Sequence, residues 1–84
     1  MSLFIDFHED LPVPPPDRAE DLRKLIKSGE RDDNGARGVN IYYGTDGSTT
    51  CMFDAPSADA VHKAHDAAGV PLDTSSVREV TALV

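Results

Sequence analysis

The residue types best suited to chemistry lie close together in the second half of the chain. Cys51 is the only cysteine, and two of the three histidines, His62 and His65, follow it within residues 51–71. A thiol near an imidazole supports three interpretations: a transition-metal site, a cysteine nucleophile with a histidine base, or a small core that contains polar atoms. The elements that carry these residues decide between them.

A helix is predicted over residues 57–71, with Ser57 as its cap and with Gly69 and Pro71 at its end. At about 100° per residue, one helix face collects Val61, Ala64, His65 and Ala68. His65 lies near the centre of this face and points towards a sheet, whereas His62 lies at its edge, where solvent begins. A histidine directed inwards must satisfy both ring nitrogens, either with hydrogen-bond partners or with a metal.

The first half of the chain predicts a strand and a second helix. Alternation over residues 3–9 divides a strand between two faces: Leu3, Ile5 and Phe7 on one, and Phe4, Asp6 and His8 on the other. The prolines from Pro12 onwards end this strand. Residues 16–30 predict a helix with Asp17 as its cap, Glu20 completing a capping box, and Gly29 past its end. Its apolar stripe comprises Ala19, Leu22, Leu25 and Ile26.

A hairpin and a last strand complete the predicted elements. Residues 39–43 and 49–54 form the hairpin strands, and Gly44, Asp46 and Gly47 supply the turn. Residues 75–84 predict the last strand. The order is therefore that of an α+β, ferredoxin-like βαββαβ fold, a single domain over residues 1–84. Right-handed crossovers place both helices on one face of the antiparallel sheet.

The other face of this sheet is predicted to be bare and apolar, and to include Phe4, Tyr42 and Met52. Such a face is too apolar to remain exposed to solvent in a small monomer, so we expect a homodimer that covers it. Small domains can also be stabilised by an internal disulfide, but the single cysteine of this chain excludes one.

The predicted strand order brings a third candidate ligand towards Cys51 and His65. The first and third strands are neighbours in this fold, which can bring His8 near Cys51 or Asp54. Thiolate, imidazole and carboxylate together are ligands for nickel, copper or zinc. No CxxC spacing is present, and the sequence leaves open whether Cys51 faces the helices.

An enzymatic function is disfavoured, although the same residues would serve it. Cys51 could be a nucleophile with His65 or His62 as its base, but the sequence offers no oxyanion-stabilising feature and no third orienting group. Asp6 and Glu9 do not make a carboxylate pair, because their side chains fall on opposite faces of a strand.

Net charge limits the classes of partner. The formal charge of −7 disfavours nucleic acid and anionic membrane surfaces, and it favours cations. No apolar run approaches the roughly 20 residues of a membrane span, and the first residues lack a signal-peptide pattern. We therefore expect a cytoplasmic protein.

The C-terminal half resembles a family of small bacterial proteins that includes nickel-binding members. The matching residues are Asp46 and Gly47, Cys51, Ala55 and Pro56, His65, Gly69, Pro71, Glu79 and Val80, with Glu9–Pro12 matching the exit of the first strand. The chain differs in its compressed segment 40–47 and in "FHED" at residues 7–10. The resemblance implies a dimeric ferredoxin-like α+β barrel and a metal role for Cys51 and His65.

We therefore predict binding of a divalent transition metal, nickel first and zinc or copper next, by a homodimer. Its predicted ligands are Cys51, His65 and His8, and the affinity should fall below about pH 6, where an ordinary histidine becomes protonated. The alternatives are a module that binds a small organic ligand and a small monooxygenase-like enzyme, the latter by fold analogy alone.

Overall fold

The computed structural model describes residues 1–11, 13–70 and 77–83. Its elements follow in the order β1 (Ser2–His8), α1 (Pro16–Ser28), β2 (Arg37–Tyr43), β3 (Thr49–Ala55), α2 (Ala58–Ala68) and β4 (Arg78–Val80). This order confirms the predicted βαββαβ arrangement. The last strand is shorter than predicted. Pro12, Pro71 and the predicted beginning of that strand at residues 75–76 lie outside the described residues.

The four strands form one antiparallel sheet in the order β2-β3-β1-β4. β1 and β3 are therefore neighbours at its centre, as the fold class predicts. Their register pairs Asp6 with Cys51 and His8 with Thr49. Directly paired residues point to the same face of a sheet, so these four side chains share one face.

The two helix beginnings differ in how their first N–H groups are satisfied. In α2 the prediction is confirmed, because the Ser57 hydroxyl accepts a hydrogen bond from the Ala60 N–H at 3.2 Å. In α1 the predicted Asp17 cap is wrong. This helix begins at Pro16 after Pro15, without a side-chain cap. Proline suits the first helical position because its missing N–H would have no partner there.

Both helices end at a glycine, as predicted. Gly29 and Gly69 have φ values of 71° and 72°, in the left-handed region where a side chain would be strained. None of the described helices has the length and apolar character that crossing a membrane requires.

The hydrophobic core lies between the sheet and α2. Its buried members are Phe4, Ala36, Ala55, Ala60 and Val61, with Phe53, Ala64 and Val77 packed against them. The expectation that Phe4 lies on the bare face is therefore wrong. Alternation correctly grouped Phe4 with Asp6 and His8. This group faces the helices, where Phe4 is part of the core beneath α2.

Helix α1 covers the sheet more loosely than α2 does. None of its residues is buried, and Leu25, predicted as part of its apolar stripe, is exposed. Between α1 and β2 lies a cleft of about 240 Å³, lined by Ala19, Leu22, Arg23, Ile26, Asn40, Ile41 and Tyr43. The tightly packed half of the molecule is thus the half that holds Cys51 and His65.

Candidate metal centre

Three elements bring four potential metal ligands together beneath α2. Strand β1 supplies Asp6 and His8, β3 supplies Cys51, and α2 supplies His65. Each offers one donor atom, and these atoms all lie within 4.8 Å of one another. The three residues that the sequence predicted as ligands, Cys51, His65 and His8, are thus neighbours, and Cys51 faces the helices rather than the open face.

Asp6 is the centre of the cluster. It is 1% exposed, and its Oδ1 accepts a hydrogen bond of 2.7 Å from His8 Nε2 while lying 3.2 Å from His65 Nε2. The other carboxylate oxygen, Oδ2, is buried without a hydrogen-bond partner. A buried carboxylate oxygen without a partner is costly, and a cation beside it would remove that cost.

His65 is held in one orientation by its own helix. Its Nδ1–H donates to the Val61 carbonyl at 2.8 Å, so Nε2 is the nitrogen that faces the cluster. The His8 and Phe53 rings lie 5.3 and 5.2 Å from the His65 ring, centroid to centroid. A backbone carbonyl on the outer nitrogen is the arrangement that metal-binding histidines usually show.

Asp6 contributes to the pKa shifts of two neighbouring side chains, His65 and Cys51. Burial lowers the pKa of His65, but the hydrogen bonds to Asp6 and Val61 and the charges of Asp6 and Asp66 outweigh it. The pKa of His65 is therefore raised above its ordinary 6.5. Burial, followed by the negative charge of the neighbouring Asp6, raises the pKa of Cys51 to about 12.

These protonation states disfavour the nucleophile interpretation of Cys51. A catalytic cysteine needs a depressed pKa and an accessible sulfur, whereas this thiol is 7% exposed and neutral at physiological pH. A metal ligand has a different requirement, because a coordinating thiol loses its proton as the ion binds.

The interpretation of His65 as an ordinary core histidine needs a closer test, since both ring nitrogens already have protein neighbours. That interpretation explains one satisfied histidine. It does not explain why a second histidine, a thiol and a carboxylate with one unpartnered oxygen converge on the same point. One sulfur, two imidazoles and one carboxylate fit a late first-row divalent ion.

Asp6 was missed as a candidate ligand, although the sequence carried a signal for it. Alternation places Asp6 on the same strand face as His8, so an inward His8 implies an inward Asp6. Two other candidates lie elsewhere. His62 is half-buried outside the cluster, and Asp54, on the opposite face of β3, accepts hydrogen bonds from Arg31 and Arg37.

Comparisons with known proteins give the chain a family match and a fold match. The sequence model of the family described as "Nickel responsive protein SCO4226-like" matches residues 4–80, a span that includes the whole cluster. Among solved structures, the chain is similar to SCO4226 from Streptomyces coelicolor A3(2), with a TM-score of 0.70 and 24% identity. The likeness covers 99% of this chain and 100% of that one, and it supports the fold assignment. No curated protein sequence matches the chain.

Proposed function

The chain belongs to the SCO4226-like family of nickel responsive proteins, and we propose that it binds a divalent transition-metal ion, nickel first. Its proposed ligands are Cys51, His65 and His8, as the sequence predicted, with Asp6 as a fourth. Family membership confirms the resemblance from which the prediction of nickel came. The specific ion and the ligand set are the proposal.

The observation that carries this proposal is the unpartnered Oδ2 of Asp6 inside a buried four-donor cluster. Few buried polar atoms in folded proteins lack a hydrogen-bond partner. A divalent ion would supply the positive charge that this site lacks, and the donor set combines soft sulfur with borderline nitrogen and hard oxygen. That mixture suits nickel, copper or zinc better than magnesium or calcium.

Thermal melting of chelator-treated protein, titrated with nickel, zinc and copper, tests the proposal. Binding to the folded state alone stabilises it by RT ln(1 + [L]/Kd), about 2.7 kcal/mol at a ligand concentration of 100 Kd. We expect a saturable upward shift in Tm that Cys51→Ala abolishes. Thr50→Ala, a change at the next residue on the opposite face of β3, should keep the shift. No shift with any of the three ions would refute the proposal.

We propose in addition that the protein is a homodimer formed through the open face of its sheet. Phe7 and Tyr42 on that face are 49% and 52% exposed, and the half-buried Leu3, Ile5 and Met52 lie on the same face. Exposed apolar side chains on one face of a chain this small favour association. A second copy offers a surface of the same shape and chemistry.

The organic-ligand alternative has a specific location, the cleft between α1 and β2. Arg23, Asn40 and Tyr43 contribute polar groups to it, while Leu22, Ile26 and Ile41 contribute apolar ones. Its volume, about 240 Å³, is below the range of about 300–1,000 Å³ typical of small-molecule sites. The metal cluster therefore has the stronger structural support.

A further inference from the structure

Thr49 is a buried polar residue next to the metal cluster that the proposed function does not use. It is 1% exposed and lies directly opposite His8 in the register of β3 with β1. Its Oγ1 donates a hydrogen bond of 2.7 Å to the carbonyl of Leu11. This bond ties β3 to the chain segment that leaves β1.

The position of that bond matters because His8 is the last residue of β1. After His8 the chain bends through Glu9 and Asp10, both exposed, before Leu11 is anchored. The His8 ring itself is held by one hydrogen bond to Asp6, at 2.7 Å, and by its contact with the His65 ring. The bond between Thr49 and Leu11 thus ties the backbone beyond His8 to the sheet at this point.

We propose that Thr49 is a positioning residue for His8: its hydroxyl fixes the exit of β1, and this holds the His8 imidazole towards Asp6 and His65. The inference rests on the proposed metal site, and it concerns how one of its ligands is preorganised. Residues that hydrogen-bond directly to a metal ligand typically change metal affinity by about 10–100-fold when they are removed, and we expect Thr49, which acts through the backbone, at the lower end of this range. A ligand held in place beforehand also loses less conformational freedom on binding.

A double-mutant cycle on nickel affinity separates this role from a general contribution to folding. Thr49→Val replaces the hydroxyl by a methyl group of similar size, and it should weaken binding about tenfold. In a His8→Ala background the same change should cost less than about twofold, because the residue through which Thr49 acts is absent. Thr49→Ser, which keeps the hydroxyl, should bind nickel with an affinity within about twofold of that of the wild type.

Two results of the cycle would overturn the inference. One is a wild-type affinity in Thr49→Val. The other is an equal tenfold loss with and without His8, which would mean that Thr49 acts on the whole fold. Thr49→Ala removes the hydroxyl together with the γ-methyl group and adds no bulk, so it repeats the test should the valine variant fold poorly.

A second measurement needs no metal and keeps this inference separate from the proposed function. NMR of the histidine ring nitrogens in metal-free protein should show a clear change at His8 in Thr49→Val and none at His62. Thr50→Val, on the opposite face of β3, should change neither ring. If nickel binds but the His8 ring is unchanged in Thr49→Val, the inference is wrong. If His8 responds but the wild type binds no metal, the inference holds and the proposed function fails.

Discussion

At the scale of single residues, the site is organised by a carboxylate that joins two histidines and a thiol. Asp6 Oδ1 contacts His8 and His65, and the charge of Asp6 helps to keep Cys51 protonated. The sequence identified Cys51, His65 and His8 as candidates because cysteine and histidine are conspicuous metal ligands. Asp6 was harder to select, because carboxylates are common in an acidic chain and only the pairing register places this one opposite Cys51.

The protonation states predict how nickel affinity depends on pH. Cys51 stays protonated up to about pH 12 in the absence of metal, so binding through its sulfur releases one proton. The affinity should therefore rise about tenfold per pH unit around pH 8, since each released proton contributes one unit of slope. Towards acid the slope should steepen. The slope begins to steepen above pH 6.5, because His65 must also lose its proton to bind the ion and its pKa is raised above the ordinary value.

Competition titration against a chelating indicator between pH 6 and pH 8.5 measures this dependence. Cys51→Ser should lower the slope by about one proton per ion, since a serine hydroxyl does not ionise in this range. An affinity in the wild type that is independent of pH would mean that the sulfur is not a ligand. The sequence predicted that the affinity falls below about pH 6, which assumes a histidine with an ordinary pKa. The contact of His65 with Asp6 raises the pH at which this fall begins.

At the scale of elements, the patterns predicted which segments fold but not how each one packs. Period-2 alternation correctly assigned β1 and divided its side chains between two faces. It could not say which face meets the helices, because both faces carry a phenylalanine. For this reason the sequence placed Phe4 on the open face, where the structure instead has Leu3, Ile5 and Phe7. The α1 cap was misassigned because Asp17 and Glu20 satisfy the capping-box spacing, whereas Pro16 already begins the helix.

The two helix beginnings predict unequal responses to mutation. Ser57→Ala removes the hydroxyl that accepts the Ala60 N–H, and it should lower the free energy of unfolding by about 1 kcal/mol. Asp17→Ala removes only a favourable charge near the N-terminus of α1, and it should cost about 0.3 kcal/mol. Urea unfolding of the metal-free variants measures both. A loss of about 1 kcal/mol for Asp17→Ala, equal to that of Ser57→Ala, would restore Asp17 as the cap.

In the whole molecule, the fold combines a largely buried cluster of four potential metal ligands with a sheet face that the helices leave uncovered. The order of the elements predicted the uncovered face, since a ferredoxin-like arrangement covers one face and leaves the other, and it predicted the neighbouring first and third strands that bring His8 towards Cys51. The net charge of −7 adds a field that attracts cations. What the sequence could not provide was the register of β1 against β3, which depends on side-chain packing across the whole sheet.

The uncovered face predicts a response of the oligomeric state. Phe7 is 49% exposed on that face, and Phe7→Ser should shift a homodimer towards monomer in sedimentation velocity. Val13→Ser provides the control, since Val13 is 64% exposed in the segment between β1 and α1. Dimers of equal stability in both variants would mean that another surface forms the interface. A monomeric wild type would refute the homodimer itself.

We propose that Asp6, His8, Cys51 and His65 bind one divalent ion, and calorimetric titration of metal-free protein with nickel is the decisive measurement. The wild type should bind nickel saturably. Asp6→Asn, which keeps the shape but removes the charge, should weaken binding by at least about tenfold. Asp54→Asn changes a carboxylate on the opposite face of the sheet and should bind as the wild type does. A wild type without saturable binding, or an Asp6→Asn variant that binds nickel with undiminished affinity, would contradict this proposal.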